Sequence, residues 1–546
     1  MIDGYPEYMM KSIKLVEKKR GRNMSQSVKP LSMKERDEVL RKYHPDYMSN
    51  TKRDVRVGVD AGKVLYNGIV DLLEAKSVLN PKDVDLSKID YDVDILIIGG
   101  GGAGTVASLF AYENGVPKDK ILIVTKLRHG DANSMMAQGG IQAADRPEDS
   151  PALHYLDIYG GGHFENKPEL VRALALDAPK IINWHQELGV MYDRQEDGEF
   201  QELSGGGTCR NRMHSCKDYS GMELMRNIRD KARNLEIPVL EFCPIIEFLM
   251  DDKGKVAGGI AFNLETYEYY IIRAKATILA TGGSGRLHLS NYPTTNHYGA
   301  TGDGLIMAYH VGANLRDLDT IQIHPTGDAF PEPIVGILST EKIRGLGAVP
   351  VNKNGDPFVF PMEPRDVESA TFIRECKNGN GIVTPTDMPG VWLDSPMIDI
   401  IHGKGTIETK LAGEFRKFKR FDIDMTKHPI LVYPTLHYQN GGVEINGRCE
   451  TKISGLFAAG EVTGGVHGKN RLMGNSLLDY NVFGRRAGIY AAKYIKKAKV
   501  GKLTLKHIDK YNKMLERTNI KPTKTAPIIL PEYRGEMAIS RALDIL

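Results

Sequence analysis

Ile95–Gly99 (ILIIG) is an unbroken apolar run, the pattern of a strand that a parallel sheet buries on both faces. Glycines follow at once. A helix-like stretch then runs from Ala103 to Asn114 and closes at Gly115, and Ile121–Val124 is apolar throughout. Strand, glycine loop, helix and strand in that order predict a right-handed parallel crossover. Two later segments repeat the strand-into-glycine ending: Ala276–Gly283 reads ATILATGG and Gly455–Glu461 reads GLFAAGE. Residues 1–90, by contrast, are polar and lysine-rich. In them Ser32 with Glu35 forms a capping box that opens a helix, which must end before His44-Pro45. The basic residues Lys11, Lys14, Lys18, Lys19, Arg20 and Arg22 read as a solvated helix face, with docking on a partner or a membrane surface as the alternative. Near the other end, Ile508–Leu515 belongs to one amphipathic helix.

Composition narrows the classes. The chain has 546 residues, enough for two or three domains around a large core. Lysine and arginine number 72 against 69 aspartates and glutamates, a net +3 that offers no global field for nucleic acid. No run approaches the ~20 apolar residues that span a bilayer. The N-terminus lacks the apolar middle of a secretory signal, so a cytoplasmic chain is expected, at a membrane only through partner subunits. The five cysteines, Cys209, Cys216, Cys243, Cys376 and Cys449, are odd in number and scattered, against a disulfide scaffold. Cys209 and Cys216, with six residues between them, do not have a metal-ligand spacing, and no metal site is expected.

Gly99-x-Gly101-x-x-Gly104 has the context of a dinucleotide fingerprint. Gly99 permits the tight turn, Gly101 lets a pyrophosphate approach the backbone, and Gly104 lets the helix pack on the strand. The phosphates then meet the positive end of the helix dipole. The ribose-binding acid expected ~20 residues on is missing, because the second strand runs into Thr125-Lys126. That weakens an NAD reading. Three strand-to-glycine returns spread along the chain instead resemble the two-dinucleotide-fold FAD proteins, in which Glu461 would hydrogen-bond flavin hydroxyls.

Within that class seven ordered motifs narrow the resemblance: SMMAQGG (134–140), TGDG (301–304), HPTG (324–327), TE (340–341), PRD (364–366), PTLHY (434–438) and NRLMGNS (470–476). Residues 90–500 thereby resemble the fumarate reductase/succinate dehydrogenase flavoprotein family, to which L-aspartate oxidase also belongs. The resemblance implies an α/β fold: an FAD-binding Rossmann-like domain with an inserted α+β capping domain and a short helical C-terminal tail. The limits are a polar extension at 1–90, the FAD domain at 91–317 and 437–500, the cap at 318–436 and the tail at 501–546. It further implies that FAD is held by Gly99, Gly101, Gly104, Thr125, Lys126, Asn133, Ser134, Gln138, Gly139, Gly140, Thr281, Gly282, Asp303, Glu461, Asn475, Ser476 and Leu477. The substrate is a C4 dicarboxylate such as fumarate or succinate. His324, His437 and Arg471 bind its carboxylates, with Thr340 as a hydroxyl donor; an arginine fork suits that task. Arg365 is the proton donor, and Glu341 and Arg344 form the relay behind it. Free arginine is a poor acid, its pKa above ~12, unless a neighbouring carboxylate returns the proton.

The sequence also departs from the family pattern. Asn133 stands where respiratory members carry the histidine that binds FAD covalently, and His129 lies four residues too early, so non-covalent FAD is expected. The loop 328–338 is longer than in relatives, and Tyr433 replaces an arginine. Arg212 and His214 fit the aspartate oxidase form as well as the reductase form. No iron–sulfur ligand set is visible, so electrons are expected through an iron–sulfur partner subunit or a soluble donor. The reading is a fumarate reductase or succinate dehydrogenase flavoprotein, with L-aspartate oxidase as the alternative and a non-catalytic flavin scaffold as a distant third.

Overall fold

A computed structural model describes residues 4–522 and 524–531; the last part of the expected tail, 532–546, lies outside the described residues. The N-terminal arm begins with α1 (Glu7–Ser25) and α2 (Met33–Tyr43). Ser32 and Glu35 form the capping box read from the sequence, and α2 stops before His44. The basic face of α1 is not fully solvated. Arg20 pairs with Asp394 at 2.8 Å, while Lys19 and Arg22 reach Asp356 at 2.7 and 2.8 Å. On its other face Met9, Ile13 and Val16 are buried in the same core as Trp392. Lys19, Arg20 and Arg22 thus dock on this chain's own cap, because Asp356 and Asp394 lie opposite them, while Lys11, Lys14 and Lys18 are exposed as a solvated face would have them.

The first domain is built on an eight-stranded sheet. Its crossover is β1 (Tyr91–Ile98), α3 (Gly102–Glu113) and β2 (Ile121–Val124), as the apolar runs predicted. A small three-stranded sheet follows, made of β3 (Ile141–Gln142), β4 (Glu202–Leu203) and β5 (Met213–His214) in the order β3–β5–β4. Then come β6 (Val239–Leu240), β7 (Ile245–Asp251), β8 (Val256–Phe262), β9 (Tyr269–Leu279) and α4 (Asp303–His310). After the cap, the chain returns through β13 (Leu456–Ala458), α6 (Asn475–Ile495), β14 (Leu503–Thr504) and α7 (Lys506–Arg517).

β9, β1, β2 and β6 are parallel neighbours, and β13 joins the other side of β9 in parallel. In register, Ile278 faces both Ile97 and Phe457. The glycine ends of β1, β9 and β13 therefore emerge together at one carboxyl edge, the place where open α/β sheets bind ligands. Helix α6 lies close on α3 because Gly484 and Gly488 carry no Cβ, which would meet backbone oxygens of Ala103 and Ala107 at 2.7 and 2.3 Å.

The cap contains β10 (Ile321–Asp328), β11 (Pro389–Leu393) and β12 (Ile430–Gln439), which form an antiparallel five-stranded sheet with two shorter strands, and the helix α5 (Arg365–Lys377). β12 carries both late cap residues and His437, so this strand joins the cap to the body. Helix α2 of the arm packs on α5, with Val39 and Leu40 against Val367 and Ala370.

Candidate active site

A cavity of about 670 Å³ opens at the shared carboxyl edge of β1, β9 and β13. Gly99, Gly101, Thr125, Lys126, Asn133, Ser134, Gln138, Thr281, Gly282, Asp303, Glu461, Ser476 and Leu477 all line it. Gly99 has φ +115°, and a Cβ there would lie 2.2 Å from the Ala280 oxygen. At the start of α3 no side chain caps the helix through Gly101, so its first N–H groups face a ligand space as an anion-binding end does. The Gly102 N–H is bonded to Ser134 Oγ at 3.1 Å. Lys126 Nζ is held by Thr301 Oγ1 and Asp303 Oδ2 at 2.7 and 2.6 Å. Burial pushes the Glu461 carboxyl up to about 7, although the Gln439 N–H donates to it.

Four of the residues assigned to FAD do not line this cavity. Gly104 is a packing position, since a Cβ there would meet the Gly99 oxygen at 2.0 Å. Gly139 abuts Met473, and Gly140 abuts the His214 backbone. Asn475 is buried behind the wall, where its Oδ1 meets His154 Nε2 at 3.2 Å. The cradle nevertheless fits a flat dinucleotide: it is glycine-walled, and the buried Thr281 Oγ1, Gln138 Oε1 and Tyr480 hydroxyl beside it make no hydrogen bonds within the described residues. Those groups, Glu461 and the α3 N-terminus are the ones that would hold FAD.

At the seam with the cap, two guanidiniums converge. Arg365, the first residue of α5, donates from Nη1 to Gln322 Oε1 at 2.9 Å. Arg471 donates from Nη2 to the same oxygen at 2.8 Å. Arg365 Nε also donates to Glu341 Oε2 at 2.8 Å, and Glu341 Oε1 accepts from the Gly206 N–H at 2.7 Å. Arg344 sits behind, 3.6 Å from Glu341 and ion-paired with Glu368. Burial favours a protonated Glu341, but Arg365, Arg344 and the Gly206 N–H outweigh it and hold the carboxyl below its usual range. Burial, together with the like charge of Arg365, lowers Arg471 to about 9. Its guanidinium lies 4.5 Å over the Tyr438 ring, and its Nε is buried without a hydrogen bond.

The two histidines face each other across β10 and β12, ring centroids 4.9 Å apart. The strand register skips His437, since Gln322 opposes Tyr438 and Ile323 opposes Leu436. Such a bulge re-aims a side chain, here beside the cavity that His437 lines. His437 Nδ1 meets Thr295 Oγ1 at 2.8 Å. His324 Nδ1 accepts from the Thr326 N–H at 3.2 Å, which leaves its Nε2 as the protonated, donating nitrogen. Burial, then the surrounding guanidiniums, pushes both imidazoles well below the ordinary histidine value, so both are neutral donors. Thr340 is buried one residue before Glu341; its N–H donates to Glu414 and its hydroxyl accepts from the Lys342 N–H at 3.3 Å.

The structure thus brings His324, Glu341, Arg344, Arg365, His437 and Arg471 together. It adds Gln322, which sequence reasoning missed although it shares a strand face with His324 at two-residue spacing. Arg212, by contrast, is neutralised by Asp149 at 2.6 Å and by Asp157, away from the cavity.

The FAD binding domain family matches residues 94–477. One chain of the fumarate reductase (CoM/CoB) of Methanothermobacter marburgensis is 39% identical over 415 residues, covering 74% of this chain and 73% of that protein. This chain belongs to the fumarate reductase/succinate dehydrogenase flavoprotein family. An uncharacterized FAD-dependent oxidoreductase of Methanocaldococcus jannaschii is 40% identical to this flavoprotein over 411 residues, 74% of this chain and 72% of that one. The FrdA chain of Escherichia coli quinol fumarate reductase superposes with a TM-score of 0.70 at 32% identity, covering 78% of this flavoprotein and 74% of FrdA. The flavoprotein is therefore an FAD-dependent oxidoreductase. Nothing among these relatives favours the aspartate oxidase alternative. Among the described residues, no helix of the flavoprotein is long and apolar enough to cross a membrane.

Proposed function

We propose that this flavoprotein interconverts fumarate and succinate, working mainly as a reductase that takes electrons from an iron–sulfur partner subunit. The observation that carries the reading is the convergence of Arg365 and Arg471 on one amide oxygen, at 2.9 and 2.8 Å. Gln322 Oε1 occupies the position where a carboxylate oxygen can take both guanidiniums. Arg471 binds one substrate carboxylate, and His324 Nε2–H and His437 donate to the dianion from the opposing strands. Bound FAD supplies two electrons, as a hydride equivalent to one alkene carbon of the substrate. Arg365 delivers the proton to the other carbon, and Glu341, bonded to Arg365 Nε, restores it. Glu341 first takes each replacement proton from solvent by way of Arg344, 3.6 Å behind it, and is an ionised carboxylate again once it has passed the proton on. Burial favours this transfer by making the guanidinium a stronger acid than in water. Because β10, α5 and the loop at Glu341 belong to the cap, the seam excludes water from the reacting carbons.

FAD is held without a covalent bond: Asn133 donates to Asn296 Oδ1 at 2.5 Å and accepts from the His297 N–H at 2.9 Å, with no nucleophile at that position. The Methanothermobacter relative is named as one subunit of its enzyme, which supports an assembly with other chains. Among the described residues, no cysteine group converges to hold a cluster of its own. Viologen-linked reduction of fumarate by the holoprotein tests the reading. Turnover of aspartate to its imine with no fumarate reduction would overturn it, and yellow colour retained by acid-precipitated protein would overturn non-covalent FAD.

A further inference from the structure

Outside the seam, Asp145, Glu202 and His214 converge, with one ligand-type atom from each lying within 4.8 Å of the others. Glu202 and His214 are direct partners across β4 and β5, and Asp145 follows β3 on the other side of β5. His214 is fully buried, with its ring packed against Phe200 and Tyr192. Its Nδ1 lies 3.2 Å from the Arg212 carbonyl oxygen, which can only accept, so the proton is on Nδ1. In the neutral ring that tautomer leaves Nε2 as the nitrogen with a free lone pair. It makes no hydrogen bond, yet it faces Asp145 Oδ2 at 3.2 Å and Glu202 Oε1 at 3.5 Å. A buried ring nitrogen facing two carboxylates calls for positive charge between them, which a proton or a bound cation supplies.

We propose that Asp145, Glu202 and His214 bind one divalent transition-metal cation. Ligands ~2.1 Å from a common ion lie about 3.0 Å apart in octahedral and about 3.4 Å apart in tetrahedral geometry. The separations of 3.2 and 3.5 Å from His214 Nε2 to the two carboxylates lie close to that range. The bond from Nδ1 to a backbone carbonyl is the outer contact that fixes a metal-binding imidazole in the required tautomer. One imidazole and two carboxylates suit zinc or manganese better than calcium or magnesium. Arg146 lies 3.1 Å from Glu202 Oε1 and balances part of the charge, while Asp149 and Asp157 are already taken by Arg212. The ion cross-links β3, β4 and β5 at the base of the hairpin that carries Gly206, whose N–H holds Glu341. Its role is to position that hairpin.

Elemental analysis of the FAD-loaded protein, then zinc titration after chelator treatment, tests this without reference to turnover. One equivalent per chain is expected. Asp145→Asn, Glu202→Gln and the double variant should bind zinc more weakly by more than the ~10–100-fold that loss of an outer contact costs, with FAD content unchanged. Zinc should also raise the melting temperature of the parent protein and not of the double variant. Asp145 is on the surface, so its variant folds even where His214→Gln does not. Manganese displacing zinc supports the site and fixes its ion. Equal zinc binding by parent and double variant, or none by either, overturns the proposal.

Discussion

Replacing Arg365 with lysine separates proton transfer from simple charge. The arginine uses Nε for Glu341 at 2.8 Å and Nη1 for Gln322 at 2.9 Å, and its second terminal nitrogen makes no hydrogen bond among the described residues. A lysine keeps one positive charge but has a single nitrogen, which cannot face Glu341, Gln322 and a substrate carbon in one plane. One charge-assisted bond is lost, about 1.5–3 kcal/mol. The acid is also displaced from its target, and general acid catalysis contributes about 10²–10⁴-fold, or ~2.7–5.4 kcal/mol of barrier. Arg471, His324 and His437, the groups proposed to bind the dianion, remain. Steady-state viologen-linked kinetics on Arg365→Lys should therefore show kcat falling by about 10²-fold or more while KM moves by only a few-fold. Glu341→Gln should reproduce the kcat loss, since it keeps an acceptor for Gly206 but cannot return a proton. The reasoning is refuted if Arg365→Lys turns over within a few-fold of the parent, or if its whole defect lies in KM.

Gln322→Glu places a fixed carboxylate where the substrate's would sit, worth about 4 kcal/mol of attraction to a guanidinium 4 Å away at an effective dielectric of 20; initial-rate assays should show KM rising by an order of magnitude or more. Acid should destabilise the fold. His154 and His185 are buried and held at about 4 by desolvation. The unfolded chain takes protons below ~6.5 that the native one refuses, so each costs about 2 kcal/mol by pH 5. Melting temperature should fall steadily from pH 6.5 towards 4, and a flat profile would contradict it. Arg20→Ala leaves Asp394, whose side chain is wholly buried, without its counter-ion. Losing one partner of a buried pair costs about 3–5 kcal/mol, so calorimetry should show the cap unfolding earlier.

The parts of this molecule that were legible in the sequence are those fixed by neighbours in the chain. The apolar run of β1, the glycines after it and the Ser32 capping box are local devices, and they stand where the pattern put them. His324, Glu341, Arg365, His437 and Arg471 sit in short motifs, with Arg344 three residues after Glu341, but no periodicity says that residues so far apart share one seam. That follows only from the antiparallel pairing of β10 with β12 and from the position of α5 beside them. Gln322 was within reach, one strand period before His324, yet an amide carries no charge to mark it as a carboxylate stand-in.

Long-range electrostatics is where sequence reasoning stops. The basic face of α1 looks solvated until Asp356 and Asp394 are placed opposite it, and nothing at positions 11–22 encodes those partners. Asp145, Glu202 and His214 likewise have no short ligand spacing; each is unremarkable until β3, β4 and β5 align. Both cases have the same physical origin. An ion pair or ligand set is a property of separations of 3–4 Å, and only the folded sheet turns separations along the chain into those distances. The seam obeys the same rule with the sign reversed: Arg365 and Arg471 are two like charges brought together in a buried place, at a cost in self-repulsion that burial increases. Glu341 is the counter-ion of Arg365 at 2.8 Å, whereas Arg471 has no ion pair among the described residues, and the dianion proposed above would supply the charge that is missing there.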